Sequence, residues 1–262
     1  MSNVAGRGAR WLDVSAERFP GWISAFAGRH GNPGPHSDSG SHGDAGSLLV
    51  AAADGAVTFT AGDGAVARCH PPFPETFAPP AGLSGPGEIA AAISAHAREP
   101  RTVGVLLVRL GGYAAGVFTG YPPALADAKV GSRLVHGRSA AGGWSQHRFA
   151  RRREKQANEA LDAAADTAVA VFDRWAAGRA PVVGQGRGAR LDAVVLGGDK
   201  RAMAGLRDDP RLAPYLAIAT ERFLTVPDPR RAVLEGTPKA FTAVRIMLTE
   251  PLSGVRGSSP GR

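Results

Sequence analysis

The chain has 262 residues, of which 44% are hydrophobic, so it can bury one large core or two modest ones, and global disorder is excluded. Its single cysteine, Cys69, excludes an intramolecular disulfide and a cysteine-based zinc site, and no apolar run resembles a secretory leader or a membrane span. The 31 Lys and Arg residues against 23 Asp and Glu give a net charge of +8, which allows a polyanionic partner but does not require one.

Residues 1–99 are predicted to form a small α+β region. Apolar residues at helical spacing predict a helix over Ala16–His30, and the Gly, Ser and His residues of 31–46 predict a mobile loop. Asp-Gly turns separate the apolar runs that follow, which is typical of a three-stranded β-meander. The predicted elements of this stretch are the strands Ser47–Ala53, Val57–Thr60 and Ala65–Cys69, the irregular proline-rich segment His70–Gly87, and the helix Glu88–Arg98. A domain boundary is expected near Glu99 and Pro100.

Residues 100–252 are predicted to form a mixed α/β domain, because strand and helix patterns alternate there. Two strands flank a hairpin turn at Gly111 and Gly112, and a long helix to about Ala177 follows a Gly-rich loop. The other predicted elements are strands at Thr102–Leu110, Tyr113–Thr119, Ala126–His136, Leu191–Leu196 and Arg222–Val226, helices at Lys200–Leu206 and Arg230–Glu235, and a strand or helix at Ala240–Leu248. Residues 253–262 are a predicted tail.

The excess positive charge is concentrated around the Gly-rich loop. From Lys129 to Lys155 there are eight basic residues against the single Glu154. The loop contains Gly142, Gly143 and Gln146, and glycines let bare backbone approach a partner closely. The long helix that follows carries an apolar stripe in its C-terminal part, whereas its first two turns are mostly Arg and Lys. We therefore expect the C-terminal part to pack on a sheet and the N-terminal part to project.

The residues alone also allow interpretations of the loop and the basic helix that involve no function. A Gly-rich loop is most often a surface connection, and a charge run on a helix is most often a solvated face. An amide is a poor general base, so Gln146 is suited to orienting a water molecule rather than to taking its proton. The sequence has no nucleophile elbow, zincin motif or phosphate-binding loop, and we expect neither a metal nor a cofactor.

Several of these residues together resemble a known family. His136-Gly137-Arg138, the Gly-Gly…Gln loop, and the run from Arg148 to Lys155 are similar to the catalytic middle domain of eukaryotic and archaeal class-one release factors. The GGWSQ sequence of the loop resembles the actinobacterial branch of the Vms-like release factor family, whose members are peptidyl-tRNA hydrolases. The resemblance covers about residues 101–251 and implies a release-factor-like sheet with a long basic helix after the Gly-Gln loop.

The resemblance also implies roles for particular residues. Gln146, with Gly142 and Gly143, would reach the peptidyl transferase centre and promote attack of water on the ester of peptidyl-tRNA. Binding of large-subunit rRNA or tRNA phosphates would fall to basic residues, namely Arg138, Arg148, Arg151, Arg152, Arg153 and Lys155. The expected protein is a cytoplasmic ribosome-rescue hydrolase, monomeric away from the ribosome. The first hundred residues show no codon-reading motif, so stop-codon decoding is not expected.

Two alternatives remain from the sequence. One is an endonuclease that cuts the tRNA near its 3′ end. The other is a non-catalytic module that binds RNA or the ribosome and in which the loop only docks.

Overall fold

The structure, a computed structural model, describes residues 8–31, 48–79, 85–109, 111–132, 145–176 and 190–251, without the side chains of 145–154 and 176. The chain divides into two compact units, one formed by Met1–Arg98 with Thr242–Arg262 and the other by Glu99–Phe241. Each unit contains a five-stranded sheet with helices, so the mixed α/β prediction is confirmed.

The first unit is an antiparallel sheet with two helices on one face. Its strands are β1 Ala9–Val14, β2 Leu49–Ala53, β3 Ala56–Thr60, β4 Val66–His70 and β10 Val244–Thr249, and its helices are α1 Phe19–His30 and α2 Pro86–Ala97, with a 3-10 turn at Pro74–Thr76. The strands lie in the order β1-β10-β4-β3-β2. The β-meander predicted from the Asp-Gly turns is β2, β3 and β4. Asp54 and Gly55 both have positive φ, as the tight hairpin turn between β2 and β3 requires.

The core of the first unit lies between the sheet and its two helices. Side chains at alternate positions of the strands point to this side, as the two-residue period of a strand requires. The buried set includes Phe19, Ile23 and Phe26 of α1, Ile89 and Ile93 of α2, and Phe59, Cys69, Val244 and Ile246 of the sheet. Burial raises the pKa of the Cys69 thiol, so this cysteine is an inert part of the core.

The second unit has a mixed five-stranded sheet. Its strands are β5 Arg101–Arg109, β6 Gly112–Gly120, β7 Ala124–Ser132, β8 Ala193–Gly198 and β9 Ala219–Leu224, and its helices are α3 Ser145–Ala176, α4 Lys200–Gly205, α5 Ala213–Leu216, α6 Arg231–Glu235 and α7 Pro238–Phe241. The strands lie in the order β7-β6-β5-β8-β9. The strands β5, β6 and β7 are antiparallel to their neighbours in the hairpins, whereas β8 is parallel to both β5 and β9.

Helices cover both faces of the second sheet. The helices α3, α4 and α5 pack on one face, where Leu106, Val117 and Leu196 belong to their core. On the other face, Leu234 of α6 approaches Gly116, and Phe241 of α7 stacks edge-on against Phe118. Because β5, β6 and β8 are buried on both sides, their sequences are nearly continuous apolar runs. Such runs are easily recognised in the sequence as strands.

Three expectations need correction. The sequence pattern places the segment 240–252 in the second domain, but β10 pairs with β1 and β4 and belongs to the first unit. No strand is expected in residues 1–14, yet Ala9–Val14 pairs along its whole length with β10. The hairpin turn lies one residue earlier than predicted, since Arg109 pairs with Gly112 and Gly111 takes φ of 101° between them. The predicted loop 31–46 and tail 253–262 lie largely outside the described residues.

Candidate functional site at the start of the long helix

The helix α3 begins at Ser145, so Gln146 lies in its first turn. The helix has 32 residues, which is a length of about 48 Å at 1.5 Å per residue. The first four N–H groups of any α-helix have no partner within the helix, and the aligned peptide dipoles add partial positive charge there. Gln146 therefore combines an amide side chain with backbone donors at an end that favours an anion.

The C-terminal half of α3 is held against the sheet. Its buried positions recur at three- and four-residue intervals: Ala164, Ala165, Ala168, Val171, Phe172 and Trp175. These positions confirm the predicted apolar stripe. Leu161 adds a contact with α4 that depends on the absence of a side chain at Gly205, where a Cβ would lie 2.7 Å from Leu161 Cδ1.

The described side chains of α3 just before this stripe are not buried. Within the described side chains, residues 155–163 include none that is buried, and the first buried position is Ala164. Ser145 precedes Ala164 by about 28 Å of helix. The core contacts described for α3 therefore lie mainly in its C-terminal half, which is fixed to the sheet. The expectation that the basic end projects stays a prediction.

Polar contacts on the exposed side of α3 orient the fixed half. Arg174 donates from Nε and Nη2 to Oδ2 of Asp127 in β7, at 2.9 and 2.6 Å. Asp173 accepts a short hydrogen bond from the Tyr215 hydroxyl. Burial raises the pKa of Tyr215 above its usual range. Asp166 accepts from Arg211 Nη1 at 2.5 Å. These three contacts tie α3 to β7, to α5 and to the segment just before α5.

Asp209 completes the attachment through Arg211. Arg211 also donates from Nε and Nη2 to Asp209, and this guanidinium lowers the pKa of the Asp209 carboxyl. Sequence reasoning missed this set of anchoring residues, because the partners lie 42 to 47 positions away along the chain. The one signal in the sequence was the presence of three charged residues, Asp166, Asp173 and Arg174, in an Ala-rich stretch of the helix.

The helical period relates the predicted site positions to the buried stripe. Position 146 precedes Ala164 by about five full turns, so both positions lie on the same side of α3. Positions 148, 151, 152 and 155 are separated by three or four residues and share another side of the helix. That side is roughly opposite to the buried stripe. Position 146 and the four basic positions therefore lie on different sides of the helix.

The predicted site residues fall into three groups. Arg138, Gly142 and Gly143 lie outside the described residues. Gln146, Arg148, Arg151, Arg152 and Arg153 lie in α3, but only their backbone is described. Lys155 is fully described: its side chain is 80% exposed and lies 3.9 Å from Glu159 one turn later. The roles predicted for these residues stay predictions.

The described residues contain no group of three His, Cys, Asp or Glu side chains placed to hold a metal ion. None of the described helices combines the length and the apolar composition needed to cross a lipid bilayer.

Similarity to known proteins adds to this geometry. Residues 101–247, more than half of the chain, match the family described as actinobacteria/chloroflexi VLRF1 release factor. Among solved structures, one described as "Vms1 mitochondrial localization core" is similar with a TM-score of 0.33 and 9% identity, over 76% of this chain and 77% of that chain. No match is found among curated proteins.

Proposed function

Because the chain belongs to the actinobacteria/chloroflexi VLRF1 release factor family, we propose that it releases nascent peptides from stalled ribosomes by hydrolysing the ester of peptidyl-tRNA. Membership confirms the resemblance inferred from the GGWSQ loop and the basic helix, and it assigns the protein a role in translation at the level of a release factor. The reaction, the substrate and the residues that follow are our proposal.

The observation that supports the proposal is that α3 is fixed to the sheet by its C-terminal half and continues as helix well beyond that half. The buried stripe from Ala164 to Trp175 and the Arg174–Asp127 contact hold the C-terminal half. The other half extends about 28 Å to Ser145 and Gln146. A stiff element of this length can carry a reactive group into a deep, RNA-lined site while the unit that bears it stays outside.

Gln146 would act by position rather than by basicity. In the reaction, a water oxygen bonds to the carbonyl carbon of the ester, the bond to the ribose oxygen breaks, and the proton ends on the tRNA hydroxyl. The amide of Gln146 would hold the water by a hydrogen bond, and a backbone N–H at the helix start would stabilise the developing oxyanion. Gly142 and Gly143 would let the backbone come close to the terminal adenosine.

The basic positions would hold phosphates of rRNA or tRNA. Arg148, Arg151, Arg152 and Lys155 share one side of α3 by helical period, with Arg153 and Arg138 nearby in sequence. Cations in successive turns repel one another unless an anion lies against them, and an RNA backbone supplies that anion. The proposed partners are therefore large-subunit rRNA and peptidyl-tRNA, met in the cytoplasm by a monomer that needs no cofactor.

The test is peptide release from purified stalled ribosome complexes. Gln146→Ala should lower the release rate about 100-fold, the loss typical of removing one positioned donor, while ribosome binding is retained. Gln156→Ala is the matched control, since it removes the same side chain from the same helix and should leave the rate unchanged. Release that is undiminished in Gln146→Ala would overturn the catalytic assignment.

Analysis of the tRNA in the same assay separates the two alternatives. Ester hydrolysis leaves the 3′ end whole, whereas an endonuclease yields a shortened tRNA, with its terminal nucleotides still joined to the peptide. A module that only docks would bind ribosomes in a salt-sensitive way and release no peptide at all.

A further inference from the structure

The sheet of the first unit has one face on which neither of the two described helices, α1 and α2, packs. The helices α1 and α2 pack on the side of Phe59, Cys69 and Ile246. The alternate positions of the strands point to the opposite side, where none of the described residues of β1, β4 and β10 is buried. We call this side the open face and define it by seven residues on four adjacent strands: Trp11, Asp13, Thr58, Arg68, His70, Arg245 and Met247.

An exposed tryptophan dominates the open face. Trp11 lies opposite Met247 in the register of β1 and β10, and the residue is 49% exposed. The guanidinium carbon of Arg245 lies 4.3 Å from the centre of the Trp11 ring, and the His70 ring centroid lies 5.5 Å from it. An indole supported in this way is a rigid aromatic surface with half of its area still accessible.

Two arginines, a histidine and one carboxylate lie near the tryptophan, since Asp13 is directly opposite Arg245 in the register of β1 and β10. Arg245 is paired with His70, and Arg68 with Met247, in the register of β10 and β4. Arg245 and Arg68 are therefore diagonal neighbours on adjacent strands, roughly 7–8 Å apart at Cα. Arg68 lies 3.7 Å from Asp54, an ion pair at the limit of contact whose carboxylate is 87% exposed. Such an exposed pair is weak and opens at little cost when a stronger anion approaches.

We propose that the open face binds single-stranded RNA, with a base stacked on Trp11 and phosphates held by Arg245 and Arg68. An aromatic side chain on an uncovered antiparallel sheet, flanked by arginines, is a general means of recognising unpaired nucleotides. An acidic peptide would use the arginines, but its carboxylates give the indole nothing to stack on. An anionic membrane surface would also use the charges and the apolar side chains of Trp11 and Met247, and competition by vesicles distinguishes it from RNA.

The binding goes beyond the proposed function, because it involves the unit that does not contain Gln146 or α3. It gives the protein a second RNA contact, made by residues from both ends of the chain: Trp11 comes from β1 and Arg245 from β10. RNA binding by this face does not require peptide release, so the two proposals fail independently.

The test measures binding of a fluorescein-labelled oligouridylate of about 12 nucleotides to the full-length protein by anisotropy at low salt. All proteins carry Arg151→Gln, Arg152→Gln and Arg153→Gln, which suppress binding by α3. In this background, Trp11→Ala should raise Kd roughly 5- to 100-fold, as expected when one base no longer stacks. Arg245→Gln should weaken binding and lower the slope of log Kd against log salt by about 0.7.

Arg10→Gln is the matched control. Arg10 is next to Trp11 in β1, but its side chain lies on the opposite side of the sheet, where it pairs with Glu250 at 3.2 Å. The substitution Arg10→Gln removes one positive charge, as Arg245→Gln does. Its Kd should stay within about twofold of the background. Equal losses in Arg10→Gln and Trp11→Ala, or unchanged binding in both Trp11→Ala and Arg245→Gln, would overturn the proposal.

Competition by unlabelled molecules shows which class of partner the open face binds. An RNA duplex of the same length should compete poorly, because its bases are not free to stack on Trp11. Competition by phosphatidylserine vesicles or by polyglutamate that matches unlabelled oligouridylate would assign the face to a membrane or an acidic protein and refute RNA. Circular dichroism of each variant establishes that the sheet is intact, which is expected because Trp11 and Arg245 lie outside the core.

Discussion

Gly104 of β5 lies directly against the ring of Phe172 on α3. A Cβ atom at Gly104 would come 3.1 Å from Phe172 Cε1 and 3.2 Å from Val194 Cγ2. The missing side chain therefore sets how closely the fixed half of α3 approaches the sheet. Since Phe172 is fully buried, it has no space into which to retreat.

Gly104→Val should destabilise the second unit by about 1–3 kcal/mol, because the added methyl groups overpack the contact with Phe172. The measurement is thermal or urea unfolding of the full-length protein. Gly28→Ala is the control: Gly28 lies within α1 with open space at its Cβ position and should gain stability by about 0.5–1 kcal/mol. An unfolding midpoint that does not fall in Gly104→Val would contradict the close contact.

The Arg174–Asp127 pair should contribute modestly to stability. Both hydrogen bonds go to one carboxylate oxygen, and the Arg174 side chain is 52% exposed, so a coupling of about 0.2–1 kcal/mol is expected from a double-mutant cycle with alanine. The Lys155–Glu159 pair, at 3.9 Å and more exposed, should show no more than about 0.5 kcal/mol. Raising the salt concentration should weaken both couplings. If the second pair couples more strongly than the first, the anchoring role of Arg174 is wrong.

Ribosome binding should depend steeply on salt through the basic end of α3. Removing three charges by Arg151→Gln, Arg152→Gln and Arg153→Gln should lower the slope of log affinity against log salt by about 2, at roughly 0.7–0.9 for each phosphate that is no longer neutralised. The measurement is co-sedimentation with ribosomes over a series of KCl concentrations. A control with Arg207→Gln, Arg230→Gln and Arg231→Gln has the same net charge change outside α3. Equal slopes for the two triple variants would show that only net charge matters.

Acid should weaken the cap of α4. The pKa of Asp199 is lowered because its carboxylate accepts from the backbone N–H groups of Ala202 and Arg201, at 3.0 and 2.7 Å. A lowered folded-state pKa gives stability that is present above the unfolded value of about 3.9 and is lost as pH falls through the folded value.

Asp199→Asn tests this dependence, because asparagine keeps the capping oxygen but does not titrate. The difference in unfolding free energy between wild type and this variant should be largest near neutral pH and shrink below about pH 4. Asp199→Ala should cost about 1 kcal/mol at pH 7 through loss of the cap. A wild-type advantage that grows on acidification would show the opposite sign and refute the account.

Local patterns were enough to predict the elements that later define the site. The three- and four-residue spacing of Ala164, Ala168 and Val171 predicted the buried stripe, because a helix repeats every 3.6 residues wherever it is in a fold. Asp54 and Gly55 predicted their hairpin because only a few residue types tolerate positive φ in succession. The GGWSQ loop and the basic run identified the family, although the roles of Gln146 and its arginines stay proposals.

What the sequence determined by itself was therefore the set of short-range choices: helix or strand, turn or core face, and a concentration of charge around residue 146. The tertiary structure alone decided which distant segments become neighbours. It joined β1 to β10 across 240 positions, placed Arg245 over Trp11, and tied Arg174 to Asp127. The physical reason is that strand pairing and side-chain contacts depend on surfaces that are complementary in space. The residues next to a position in the sequence do not specify which distant residue it will contact.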